Sequence, residues 1–149
     1  MERPSKTPPQ RPSDAELDAL RVAARAATER AYGPYSGVRV GAALLTASGR
    51  IVAGCNVENA SYGLTVCAER NAVANAVVEG ELELRAILID SNQLRGLAPC
   101  GACRQVLHEF APELWVAVLR GDEVQMRPLS EYLPDAFGPQ DLQDRQPER

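Results

Sequence analysis

Thiol and carboxylate side chains carry the chemistry that this sequence offers. Cys67 and Glu69 belong to the segment Cys67-Ala68-Glu69-Arg70, and Cys100 and Cys103 belong to Pro99-Cys100-Gly101-Ala102-Cys103. Three thiolates can bind a zinc ion and leave its fourth position to water, as in catalytic zinc sites, whereas structural sites are closed by four protein ligands. Glu69 is the carboxylate placed to take a proton from that water. The pattern therefore predicts a zinc-dependent reaction with water.

The rare residue types exclude several other kinds of site. The chain has one histidine, His108, so it cannot build a catalytic zinc site from two or more imidazoles. Its one lysine, Lys6, lies in a proline-rich segment, which argues against a Schiff-base or phosphate-loop lysine. Arg70 is the cation placed to offset the excess negative charge of three thiolates on zinc. It would tune these thiolates and make the bound water more acidic.

The spacing of these residues sets conditions on the helices that carry them. Cys100 and Cys103 are three residues apart, so both thiols share one face of a helix. Cys67 and Glu69 are two residues apart and would point in roughly opposite directions on a regular helix. They converge only if Cys67 lies at the helix start, before the first turn has closed. Unpaired N–H groups at both helix starts would then lower the thiol pKa values.

Three other interpretations remain open on these residues alone. Cys55 as a fourth ligand would close the site and give a structural zinc module, although its strand context favours a small buried thiol. Cys100 and Cys103 alone would suit a redox pair, which leaves Cys67 and Glu69 unexplained. Glu69 and Arg70 could otherwise form a solvated surface pair.

The apolar pattern predicts the elements that must position these residues. A capping box from Ser13 to Glu16 begins a helix that ends at Gly33-Pro34. Strand–helix–strand units follow, which predict an α/β fold: a three-layer α/β/α sandwich around a mixed five-stranded sheet. The further predicted elements are strands 38–45 and 51–57, helix 67–79, strand 84–90, helix 99–110, strands 114–119 and 124–127 joined by a turn at Gly121-Asp122, and a last helical turn over 129–133.

Composition suggests one folded domain and a small-molecule partner. Residues 1–12 read as a disordered leader, 13–137 as the folded domain and 138–149 as a polar tail. The net charge of −4 gives no basic face for a nucleic acid polymer. No apolar run reaches the ~20 residues of a membrane span, and the leader lacks the apolar region of a signal peptide. We therefore expect a cytoplasmic protein with no membrane partner.

The cysteine motifs together match a known signature. Zinc deaminases carry His-x-Glu followed by Pro-Cys-x-x-Cys, with an all-cysteine variant in which the glutamate is an acid–base group and not a ligand. The chain resembles the small, homotetrameric cytidine deaminases over about residues 13–137. The motifs that carry the resemblance, in the family's order, are Pro34-Tyr35-Ser36, VGAALL at 40–45, GCNVENASYG at 54–63, CAER at 67–70, PCGACRQV at 99–106 and EYLPDAFG at 131–138.

The resemblance implies an activity and a cofactor. One zinc ion per chain would be held by Cys67, Cys100 and Cys103, with Glu69 as the proton shuttle. The reaction would be hydrolytic deamination of free cytidine and deoxycytidine to uridine and deoxyuridine with release of ammonia, a step of pyrimidine salvage. The alternative is another zinc deaminase, acting on a blasticidin-type antibiotic or a nucleotide.

The resemblance also implies substrate contacts. Asn56 and Glu58 match the pair that holds the ribose hydroxyl. Ala60 and Tyr62 match positions that complete a neighbouring subunit's pocket in a homotetramer with shared active sites, and Phe137 matches the C-terminal aromatic that packs on the base. Ala68 joins the substrate-binding set. Val38 departs from the family, whose members carry Phe there to line the base.

Overall fold

The computed structural model describes residues 8–120 and 123–143, in which helices and strands follow one another in the predicted order. The strands are β1 (Val40–Thr46), β2 (Ile51–Cys55), β3 (Leu84–Ser91), β4 (Trp115–Arg120) and β5 (Glu123–Pro128). The helices are α1 (Asp14–Arg30), α2 (Ala68–Val78), α3 (Gly101–Phe110), α4 (Leu129–Tyr132) and α5 (Pro139–Gln143), with a 3-10 turn at Tyr62–Leu64. The predicted turn at Gly121-Asp122, the leader up to residue 7 and the tail from residue 144 lie outside the described residues.

The strands form one mixed sheet in the order β2-β1-β3-β4-β5. Only the β3–β4 pair is parallel, and the other three pairs are antiparallel. Ala43 in the middle of β1 lies opposite Ala53 of β2 on one side and Leu88 of β3 on the other. None of the helices in residues 8–120 and 123–143 has the length and apolarity that a membrane crossing requires.

Helices cover both faces of this sheet, because successive side chains of a strand point to opposite faces. Ala42 and Leu44 of β1 pack in one buried cluster with α2 and α3. Their neighbours Ala43 and Leu45 pack in a second cluster with Leu20 of α1. The near-continuous apolar runs of β1, β3 and β4 follow from this double burial. The predicted three-layer α/β/α sandwich is confirmed.

Helix α1 begins at the predicted capping box. The Glu16 backbone N–H donates to the Ser13 hydroxyl at 3.2 Å, and the Ser13 N–H donates to the Glu16 carboxylate at 2.8 Å. Arg85 of β3 forms an ion pair with Glu16 at 2.8 Å. The hydrogen bond that Arg85 donates within this ion pair lowers the pKa of Glu16 below its ordinary value. The start of α1 is thus tied to the sheet as well as capped.

Residues 9–11, in the predicted leader, contact the folded domain. The Trp115 indole N–H donates to the Pro9 carbonyl at 2.8 Å, and the Arg11 guanidinium lies 5.6 Å from the centre of the Trp115 ring. Arg85 also donates to the Gln10 carbonyl at 3.3 Å. Residues 9–11 therefore pack on the domain, because Trp115 and Arg85 offer donors that need acceptors. At the other end, the predicted polar tail includes the short helix α5.

Helix α2 lies unusually close to β2. A Cβ atom on Gly54 would lie 2.3 Å from the backbone nitrogen of Ala72, so only glycine allows this approach. The side-chain amide of Asn71 donates to the Cys55 carbonyl at 2.8 Å, and that of Asn75 donates to the Ala53 carbonyl at 2.9 Å. These contacts fix α2, and with it the segment that starts at Cys67, against the edge of the sheet.

Candidate active site

Two helix starts bring three cysteines together. Cys67 is the N-cap residue of α2 and Cys100 is the N-cap residue of α3; both have an extended backbone, and neither side chain makes a capping hydrogen bond. Their Sγ atoms lie 3.8 Å apart. Cys103, in the first turn of α3, completes a cluster in which all three sulfur atoms lie within 4.8 Å of one another. The predicted placement of Cys67 at a helix start is confirmed.

This thiol cluster fits a zinc ion. Tetrahedral coordination with Zn–S bonds of about 2.3 Å separates the sulfur atoms by about 3.8 Å, as observed between Cys67 and Cys100. Cys103 is buried whereas Cys100 is exposed, so one side of the cluster faces solvent. Cys55 lies outside the cluster, which leaves three ligands in the described residues rather than the four of a closed structural site. All four cysteines are free thiols, and Cys67 belongs to the same cluster as the Cys100–Cys103 pair.

Glu69 is a buried carboxyl group beside the thiols, with a relative exposure of 5%. Burial raises the pKa of Glu69 above its ordinary value, and the negative charge of Cys67 adds to this effect. A carboxyl group with a raised pKa next to a metal site holds a proton more readily than an ordinary glutamate, which suits it to accept and return one.

Arg70 supports the thiolate charge. Its Nη2 atom lies 3.9 Å from Cys67 Sγ and donates to the Thr65 carbonyl at 3.0 Å, so the guanidinium is held in place. Hydrogen bonds from Cys103 and from Arg70 lower the pKa of Cys67 to about 5, against the effect of burial. The hydrogen bond to Cys67, together with burial and the charge of Glu69, raises the pKa of Cys103. The Arg70 guanidinium thus favours the thiolate form of Cys67.

A pocket of about 200 Å³ surrounds Glu58. One oxygen of Glu58, Oε2, accepts the backbone N–H groups of Tyr35 at 2.9 Å and of Ser36 at 3.3 Å, and the Ser36 hydroxyl donates to Oε1. The hydrogen bond from the Ser36 side chain, followed by that from the Tyr35 N–H, lowers the pKa of Glu58. The carboxylate thus stays ionised. The residues that line the pocket are Tyr35, Ser36, Glu58, Asn59, Tyr62 and Thr65.

Asn56 has a relative exposure of only 9% and holds the chain in front of β1. Its Oδ1 accepts the Val40 N–H at 2.7 Å and its Nδ2 donates to the Val38 carbonyl at 3.1 Å. One N–H of the amide remains for a ligand. Ala68, which the resemblance placed in the substrate-binding set, is fully buried in the core.

The two aromatic rings assigned to a shared pocket are largely exposed in the single chain. Tyr62 has a relative exposure of 75% and Phe137 of 60%. Ala60 is exposed in the same loop as Tyr62. The Phe137 carbonyl accepts a hydrogen bond from Gln105 Nε2 at 2.8 Å, which ties the C-terminal segment to α3. Phe137 is not among the residues that line the Glu58 pocket.

A family model for the cytidine and deoxycytidylate deaminase zinc-binding region matches residues 15–119. The chain belongs to this family. Among its relatives, the cytidine deaminase of Halalkalibacterium halodurans is 47% identical over 121 residues, which cover 79% of this deaminase-family chain and 91% of the relative. The cytidine deaminase of Mycobacterium tuberculosis is 45% identical over 129 residues, which cover 87% and 95%. The matched range contains all three clustered cysteines and Glu69, so the zinc prediction is confirmed.

Solved structures share the fold. The crystal structure of cytidine deaminase from Burkholderia pseudomallei matches with a TM-score of 0.76 and 48% identity, and covers 80% of this chain and 98% of that chain. The structure of the cytidine deaminase from Mycobacterium tuberculosis matches with a TM-score of 0.75 and 45% identity, and covers 84% and 99%. The predicted cytidine deaminase-like fold is confirmed.

Ser36, which lines the Glu58 pocket of this deaminase-family chain, has no role predicted from the sequence. It belongs to the Pro34-Tyr35-Ser36 motif but is 22 residues from Glu58. A signal was present, because residues 36 and 58 flank the predicted hairpin and the two ends of an antiparallel hairpin meet at one side of the sheet. Thr65 was also missed; its carbonyl accepts from Arg70 and its hydroxyl accepts from the Asn59 N–H.

Proposed function

We propose that this protein catalyses the hydrolytic deamination of free cytidine and deoxycytidine to uridine and deoxyuridine, with release of ammonia. The observation that carries the proposal is the cluster of Cys67, Cys100 and Cys103 with Glu69 buried beside it, in a chain of the deaminase family. We propose one zinc ion per chain, held by these three thiolates.

The catalytic role falls to Glu69. A zinc ion held by three protein ligands would act as a Lewis acid, which polarises water and lowers its pKa. Glu69 takes a proton from the attacking water and gives it to ring N3, while the water oxygen bonds to C4. The proton of the hydroxyl now on C4 then moves through Glu69 to the exocyclic nitrogen, the C4–N bond breaks as the C4 carbonyl forms, and ammonia leaves. Glu69 is ionised again at the end, and its raised pKa suits both transfers.

The sugar-recognition role falls to Glu58 and Asn56. An ionised carboxylate accepts a hydrogen bond from a sugar hydroxyl, and the spare amide N–H of Asn56 donates to its oxygen. The residues that line the Glu58 pocket include no lysine or arginine, and Glu58 itself would repel a phosphate. These features favour an unphosphorylated nucleoside over a nucleotide.

We propose a homotetramer with shared active sites, in which Ala60 and Tyr62 of one subunit, and Phe137, complete a neighbour's pocket. The exposure of both rings supports this, since large aromatic side chains gain stability by burial in an interface. Light scattering gives the oligomeric mass. Mixing the inactive variant E69Q with F137A, which we expect to bind cytidine weakly, tests the sharing. Mixed oligomers exceed the activity of F137A alone only if Phe137 serves a site other than its own.

We further propose that the protein works in the cytoplasm, in pyrimidine salvage. A site built from three reduced thiolates suits a compartment that keeps thiols reduced. Uridine and deoxyuridine released there are available for reuse.

The activity is tested by measuring zinc per chain and the loss of ultraviolet absorbance with four substrates in parallel: cytidine, deoxycytidine, cytidine monophosphate and blasticidin S. Turnover of both nucleosides with stoichiometric zinc and a much lower kcat/KM for the other two is expected. Preference for the monophosphate or the antibiotic would contradict the proposed substrate. Bound zinc without turnover of any of them would contradict an enzymatic role.

A further inference from the structure

Ser36 connects Glu58 to the backbone in front of β1. Its hydroxyl accepts the Val38 N–H at 3.0 Å and donates its one proton to Glu58 Oε1. The direction of this hydrogen-bond chain is unambiguous, because a backbone N–H can only donate and an ionised carboxylate can only accept. Ser36 is therefore oriented from one side by a rigid peptide group and orients the carboxylate on the other.

The contacts of Glu58 occupy most of its hydrogen-bond acceptor positions. A carboxylate accepts about four hydrogen bonds. The Tyr35 and Ser36 N–H groups take two of them on Oε2, and the Ser36 hydroxyl takes one on Oε1. One acceptor position, on Oε1, remains for a hydroxyl in the pocket. Without the Ser36 hydroxyl, only Oε2 of Glu58 would keep hydrogen bonds. The carboxylate could then rotate about the Cγ–Cδ bond, which would move Oε1.

We propose that Ser36 is a positioning residue that aims the free acceptor position of Glu58 at the sugar of the substrate. The inference rests on the proposed role of Glu58 in binding that sugar. Cytidine and deoxycytidine have the 3′ and 5′ hydroxyls in common, so for both to be substrates the free acceptor position of Glu58 must recognise one of these two. The experiment below tests the 3′ hydroxyl. Ser36 thereby acts on substrate binding and not on the chemistry at C4.

The experiment compares kcat and KM for cytidine and for 2′,3′-dideoxycytidine, which lacks the 2′ and 3′ hydroxyls and keeps the 5′ hydroxyl. The variants are S36A, S36T and E58Q. S130A is a matched control, because Ser130 also donates to a glutamate, Glu113, at 2.7 Å but does not line the pocket. Zinc content and Tm of each protein are measured alongside. If S36A does not fold, S36C fills the same volume with a weaker donor and carries the same expectation.

We expect S36A to raise KM for cytidine by roughly 10-fold, as for the loss of a charge-assisted hydrogen bond, and to change kcat by less than about 3-fold. With 2′,3′-dideoxycytidine, the KM values of S36A and the unmodified protein should agree within about 2-fold, since the substrate has no 3′ hydroxyl. S36T keeps the hydroxyl and should restore most of the affinity for cytidine, and S130A should behave like the unmodified protein.

Three results would overturn the inference, and they are distinguishable. A rise in KM for cytidine in E58Q but not in S36A removes Ser36 from sugar recognition and leaves the role of Glu58 intact. Equal losses on both substrates in S36A assign Ser36 a merely structural role. No discrimination between the substrates in E58Q refutes the proposed role of Glu58, and the role of Ser36 falls with it.

Discussion

The Sγ atoms of Cys67 and Cys100 lie 3.8 Å apart, and each belongs to the residue that caps a helix, α2 or α3. Two helix N-termini thus meet at one metal site. Each N-terminus directs unpaired N–H groups and a partial positive charge toward the thiolates. The site therefore holds α2 and α3 together as well as binding zinc.

Removal of zinc should destabilise the protein. Without the zinc ion, the cysteines of α2 and α3 are no longer bound to a shared metal. We expect chelation to abolish activity and to lower Tm by about 5 °C or more. Differential scanning calorimetry before and after chelation measures this, and re-addition of zinc should restore both properties. An unchanged Tm in protein shown to be zinc-free would contradict a structural contribution of the metal.

Glu69→Gln should separate zinc binding from catalysis. The amide has nearly the same shape but cannot take a proton, so turnover of cytidine should fall by roughly 10³-fold or more while zinc per chain is unchanged. The exposed Glu109 on α3 offers a matched control, E109Q, which should keep full activity. Near-normal turnover by E69Q would refute the assigned role.

Arg70→Ala should weaken zinc binding. The guanidinium beside Cys67 offsets the excess negative charge of the three thiolates, and loss of such outer contacts typically reduces metal affinity by about 10–100-fold. Competition with a chromophoric chelator measures the affinity. Arg25→Ala, at an exposed position of α1, is the control for loss of one positive charge. Equal zinc affinity in both variants would contradict the prediction.

Substitutions of Phe137 and of Gln105 should both raise KM for cytidine. F137A should raise KM for cytidine if the ring packs on the base. Q105A removes the amide that holds the Phe137 carbonyl and should give a smaller rise, of roughly 3-fold. Q125A removes a glutamine that accepts from Arg120 in the β4–β5 hairpin and serves as the control. A rise in KM for Q125A but not for Q105A would refute the role of this contact.

The Glu16–Arg85 ion pair should make stability depend on pH. The folded-state pKa of Glu16 lies below its ordinary value of 4.5, so the stabilisation is present above about pH 4.5 and is lost as pH falls through the folded-state pKa. E16Q keeps the capping geometry and should be less stable at pH 7 by about 0.5–1 kcal/mol, a modest value because the pair is partly exposed to water. Urea unfolding of both proteins at pH 7 and below pH 4.5 measures the difference in stability. A stability difference that grows toward low pH would contradict it.

Local signals predicted the parts of the fold that depend on neighbouring residues. The Ser13–Glu16 capping box is made within one turn of helix, and the need for Cys67 and Glu69 to converge implied the helix start at Cys67. The strand ends were less predictable. Strand β1 begins at Val40 and not at Val38, because the Asn56 side chain takes the backbone groups of both residues.

Contacts between distant residues could not be predicted from the pattern. Pro9 and Trp115 are 106 positions apart, and nothing in the proline-rich leader indicates that Trp115 needs its carbonyl. The close approach of α2 to Gly54 likewise depends on the packed sheet. The same holds for the site, where the cysteine motifs predicted the metal ligands from spacing but the link between Ser36 and Glu58 depends on how the hairpin ends meet.

Strand β2 is an edge of the sheet, and an open edge invites pairing with another polypeptide. The side chains of Asn71 and Asn75 already occupy the outward carbonyls of Cys55 and Ala53, so an incoming strand finds no free acceptor at these two positions. The helix that carries a zinc ligand at one end thus guards the protein against edge-to-edge aggregation along its length. Extension of the sheet on this side would have to compete with these two amide contacts.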